Sequence, residues 1–92
     1  MSINTDTLVR VVRDHKDIIL QSKDTQFLQV SDTQLERFRH NFFGLVRELG
    51  LPRMFNQAYL VMNGLDEYTQ EFTDSHFVAP SETMMLDLVK KS

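Results

Sequence analysis

The sequence predicts an all-α fold, a compact bundle of about four or five helices forming one domain over residues 1–92. Three observations carry that reading. Apolar residues recur at spacings of three and four along most of the chain. At least one helix has both its start and its stop written in the sequence. The chain has 92 residues and no cysteine, a size at which a small apolar core forms without disulfides or a thiolate metal site.

Asn4 or Thr5 can cap a first helix running to about Ser22, with Asp6 in its first turn complementing the helix dipole. Leu8, Val11, Val12, Ile18 and Ile19 form one stripe, and Val9 and Leu20 fall on a second side. Residues 22–30 read as a connector with polar ends and an apolar patch of Phe27, Leu28 and Val30. The second helix, about 32–49, is the best specified. Ser31 and Gln34 have capping-box spacing, and Val30 and Leu35 can staple across the cap. Gly50 sits where a left-handed terminating residue belongs, with Leu51 placed to pack back and Pro52 unable to continue the helix. Leu35, Phe38, Phe42, Leu45, Val46 and Leu49 lie on one stripe, and Phe43 lies outside it.

A third helix is predicted from Pro52 to Asn63, with Gly64 ending it. The competing reading makes 58–62 a strand and Asn63-Gly64 a hairpin turn. Helix is preferred because Leu65, Tyr68 and Phe72 continue at spacings of three and four. Residues 74–80 read as a loop, extended before Pro80. Ser81 can cap a last helix, about 82–91, with Glu82 in its first turn and Lys90 and Lys91 in its last.

The net charge is −3, so no overall field draws the chain to nucleic acid or anionic lipid. Residues 1–50 hold seven basic and seven acidic side chains, whereas residues 51–92 hold three basic and six acidic ones. Any electrostatic preference of the second half is for a basic partner. No run approaches the roughly 18 apolar residues of a membrane span, and the N-terminus lacks the pattern of a secretory leader. A cytoplasmic protein is expected.

Chemistry-bearing patterns are sparse. His15, His40 and His76 are too scattered to make a site by spacing. Asp74-Ser75-His76 contains the residue types of a hydrolytic triad, but adjacent residues cannot adopt its geometry with one another. The three glycines are isolated and match no phosphate-binding fingerprint. Asp66-Glu67 has no neighbouring His or Cys to suggest a metal cluster. These observations predict a protein without catalytic activity and without a metal or cofactor. A glycine turn between two helices, with Arg53 opening the second, has the outline of a helix-turn-helix, which makes a DNA-binding regulator using helices of about 32–49 and 52–63 the alternative. Few cations are available there for phosphate contacts, so nucleic acid is not the preferred partner.

Surplus apolar surface is the stronger signal. In the last helix Met84, Met85, Leu86, Leu88 and Val89 fill five of six positions, more than one core-facing stripe absorbs. Methionines are adaptable contact residues. Val9, Leu20, Phe43, Met84 and Met85 are therefore expected to contribute to a partner or dimer interface.

The first half also resembles a known family. Asn4, Asp6 and Thr7 with Leu8, Val11, Val12, Ile18 and Ile19 look like the first helix of the bacteriophage anti-sigma factor AsiA family. Ser31, Arg39, Asn41, Phe42, Glu48 and Gly50 match it in one ungapped run, with similar apolar residues at Leu35, Phe43, Leu45, Val46, Leu49 and Leu51. The resemblance covers about the first 51 residues and requires an insertion in the 21–30 connector. It implies an all-helical protein that forms a homodimer through its N-terminal helices and exchanges that dimer for a sigma factor, redirecting RNA polymerase without catalysis. Leu8, Val12 and Ile19 join the expected interface on that ground. Some other accessory role with a different protein partner fits the same surfaces.

Overall fold

A computed structural model describes residues 4–91. Residues 1–3, part of the segment read above for a leader, and residue 92 lie outside the described residues. The chain runs through helices α1 (Thr5–Asp14) and α2 (Lys16–Gln21), strand β1 (Gln26–Gln29), and helices α3 (Asp32–Arg37) and α4 (Phe42–Glu48). A 3₁₀ turn (Arg53–Phe55) leads into α5 (Asn56–Met62), followed by strand β2 (His76–Ala79) and helix α6 (Glu82–Lys91). β1 and β2 pair antiparallel, with Gln26 opposite Ala79 and Gln29 opposite His76. The all-α expectation is thus corrected: the described residues form six α-helices together with a two-stranded sheet. Each strand is four residues long, too short for alternation to register as a pattern, and its partner lies far away in sequence.

The helix ends follow from local chemistry. Asn4 accepts a hydrogen bond from the Thr7 amide and opens α1. The predicted single helix to Ser22 is broken at His15, where φ is −111° and ψ 18°. There the imidazole Nδ1–H donates to the Val11 carbonyl at 2.8 Å, the same oxygen that accepts the His15 main-chain amide. Thr25, buried, donates its hydroxyl to the Ile19 carbonyl at 2.6 Å and fastens the connector back onto α2.

The capping box forms as read: the Gln34 amide donates to Ser31 Oγ at 3.1 Å and the Ser31 amide to Gln34 Oε1 at 3.0 Å. The helix it opens is shorter than predicted. It stops at Arg37, and Asn41 starts α4 by accepting from the Gly44 amide at 3.1 Å. An asparagine side chain that bonds the third amide ahead of it competes with helix continuation. Breaking the helix releases main-chain groups, and the 65–73 segment takes them: the Phe42 amide donates to the Tyr68 carbonyl, and the Phe72 amide to the Arg39 carbonyl. Leu65, Tyr68 and Phe72 accordingly lie in irregular chain and not in the helical continuation that their spacing suggested.

Both glycine stops hold. Gly50 and Gly64 have φ of +75° and +76°. After each, the next amide reaches back to a helix carbonyl, Leu51 to Val46 and Leu65 to Leu60, the paired bonding of a Schellman motif. Gly64 therefore terminates a helix and turns no hairpin.

The core is one cluster in which α1 packs on α5 and α6. Its centre is aromatic: Phe42 stacks on Phe77 at 5.3 Å between ring centroids, Phe72 meets both rings edge-on, and Tyr59 lies 5.8 Å from Phe77. The sheet supplies one face of this core through Phe77 and Ala79, both buried.

Candidate partner-binding surface

The residues expected at an interface divide into two sets. Leu8, Val12, Ile19 and Met85 are buried in the core. Val9, Leu20, Phe43 and Met84 are half-buried, the last three packed against that core. The structure does not bring all eight together on one free surface, because burial of the first four is what joins α1, α2 and α6 to the fold.

Other apolar side chains are more exposed: Ile18 by 66%, Phe27 by 54%, Met54 by 51% and Tyr68 by 50%. By spacing Ile18 belongs to the stripe of Leu8 and Val12, and the break at His15 is the reason it does not join them in the core. Interrupting α1 and α2 resets the angular phase, so Ile19 turns inward and Ile18 outward. Phe27 was visible in the sequence as part of an apolar connector. As a strand residue it points away from the core-facing Leu28.

Phe43 occupies the most developed part of this surface. The Asn41 cap fixes the first turn of α4 so that Phe42 enters the core and Phe43 stays on the margin. The bond from the Phe42 amide to the Tyr68 carbonyl holds the 65–73 segment alongside. Phe43 and Tyr68 stack with centroids 5.2 Å apart and planes 17° apart. Beside Phe43 lies a cleft of about 310 Å³, walled by Val46 and Leu51 and carrying Arg47, Arg53 and Asn56. Arg47 and Arg53 are exposed, and neither makes an ion pair among the described residues. Arg37 and Arg39, by contrast, reach Glu48, Glu36 and Glu71. Asn56 Oδ1 is buried without a protein donor.

The remaining titratable groups are placed as follows. In the 74–76 segment the Asp74 carboxylate accepts the main-chain amide of His76, and Ser75 Oγ lies 3.2 Å from His76 Nδ1. Asp74 thus orients a backbone and no imidazole. His40 Nδ1–H donates to the Thr69 carbonyl at 3.1 Å, another tie between the helix break and the 65–73 segment. Tyr59 is buried at a second cleft shared with Glu82. Burial, and secondarily the Glu82 carboxylate, push its phenol up to about 12. Among the described residues no group of three or more His, Asp or Glu side chains is placed to hold a metal ion. No helix there is long and apolar enough to cross a membrane. Comparison with models of protein families, with curated proteins and with solved structures finds no match for the chain.

Proposed function

We propose that the protein is a non-enzymatic protein–protein interaction module whose contact is centred on the Phe43–Tyr68 stack. The single observation behind this reading is that stack itself, an aromatic pair held at the surface by a main-chain bond. Aromatic side chains supply large contact area at low conformational cost, which is why they anchor interfaces. Asp66 and Glu67 precede Tyr68, while Arg47 and Arg53 line the cleft beside Phe43, so the pair is bordered by charges of both signs. An anti-sigma-like regulator that binds a sigma factor or RNA polymerase, and forms a homodimer when free, is the concrete form implied by the N-terminal resemblance. Of the apolar positions carrying that resemblance, Leu8, Val12 and Ile19 serve the core, and Phe43 is one left partly exposed.

Capture of purified sigma factor and of RNA polymerase by the immobilised protein tests the reading. Binding is expected, with loss in both Phe43→Asp and Tyr68→Ser while helicity is retained. Capture unaffected by either substitution removes the surface, and no capture at all removes the anti-sigma form. Light scattering at high micromolar concentration is expected to give the mass of a dimer.

A DNA-binding role is the second reading, favoured by the unpaired Arg47 and Arg53 on either side of the turn between α4 and α5. It requires salt-dependent duplex binding that weakens in Arg53→Ala. Absence of a mobility shift at low salt eliminates it.

A further inference from the structure

We infer that the cleft beside Phe43 is a binding site for an organic carboxylate that has an apolar body. The argument starts from charge. The other three clefts described each include at least one carboxylate among their lining residues: Asp24 and Glu82, Asp6, and Asp32, Glu36 and Glu71. This one has Arg47 and Arg53 as its charged groups, in a chain of net charge −3. Two unpaired guanidinium groups offer planar forks that match a carboxylate. Phe43, Val46 and Leu51 make the wall apolar, so a bare inorganic anion leaves that wall unused.

A volume of about 310 Å³ lies at the small end of ligand sites. It accommodates one amino-acid-sized group. The chemistry is met by a free N-acylated apolar amino acid or by the C-terminal residue of a peptide chain. In both, the carboxylate and the apolar side chain radiate from one carbon. This inference is independent of the partner proposed above, because a small probe tests it directly.

The test is a titration of the ¹⁵N-labelled protein with N-acetyl-leucine, followed by amide and arginine side-chain shifts. Saturable changes are expected at residues of the cleft, with affinity falling by about tenfold in Arg47→Gln and in Arg53→Gln, the loss of one charge-assisted hydrogen bond each. N-acetyl-leucinamide, which lacks the charge, and acetate, which lacks the apolar body, are expected to bind more weakly. A short peptide ending in leucine with a free carboxylate distinguishes the sources: tighter binding than N-acetyl-leucine assigns the site to a protein terminus, and equal or weaker binding assigns it to the free acid. No saturable shift up to about 20 mM, equal binding by the amide or by acetate, or tighter binding of adenosine monophosphate overturns the inference.

Discussion

Gly44 lies inside α4, where alanine would ordinarily be worth about 1 kcal/mol more than glycine. A methyl group there would approach Asn41 Nδ2 to 2.6 Å and Phe38 Cδ1 to 2.9 Å. Gly44→Ala is therefore expected to destabilise the protein by roughly 1–2 kcal/mol, because overpacking and the displaced Asn41 cap outweigh helix propensity. Urea denaturation measures the sign. Tyr59 gives a second prediction. Its phenol titrates at about 12 in the fold and near 10 in the unfolded chain, so below pH 10 both states keep the proton and stability is unaffected. Between about pH 10 and 12 the unfolded chain alone loses it, and stability falls before levelling off. Tyr59→Phe is expected to abolish that part of the alkaline decline, read from denaturant midpoints across the range. At this scale the sequence was only partly legible. Ser31, Gln34, Gly50 and Gly64 act where their types and spacings put them. His15 and Asn41 break helices that the apolar pattern carries straight through, because one side-chain hydrogen bond outweighs a periodicity that tolerates interruption.

The elements show the same division between local and distant information. The helix ends at Ser31, Gly50 and Gly64 were readable because their determinants lie within a few residues of one another. The strands were not, since β1 acquires its structure from β2, a segment elsewhere in the chain. Asn63 joins these elements. Its Nδ2 donates to the carbonyls of Tyr59 and Val78, and its Oδ1 accepts the Val78 amide at 2.8 Å. One side chain thereby ends α5 and bonds both main-chain groups of a residue in β2. Asn63→Ala is expected to cost about 2 kcal/mol and to speed hydrogen exchange at the Val78 amide more than at amides of α1. Equal effects at both places would mean that the substitution loosens the whole protein and not the strand.

Across the whole molecule, stability rests on a single cluster whose aromatic centre draws on α4, α5, β2 and the 65–73 segment. Phe77→Ala opens a cavity at that centre and is expected to cost about 3–5 kcal/mol, a large share of the roughly 5–15 kcal/mol typical of a domain. Thermal melting is expected to show a much lower midpoint with the single transition preserved. The candidate surface was less legible than the core. Apolar surplus in the sequence pointed to an interface but could not divide it between core and exterior, and Leu8, Val12, Ile19 and Met85 prove to be core. The cleft was beyond reach, because Arg47, Arg53 and Asn56 meet only through the turn between α4 and α5. The Asn63 side chain also sets a limit on assembly. It occupies the outer margin of β2 as an extra strand would, while the antiparallel alternation turns the Phe27 main-chain groups outward from β1. Among the described residues the sheet has one margin blocked and one without main-chain partners, so two copies pairing edge to edge through β1 would close at a pair, with no route to an open-ended fibre.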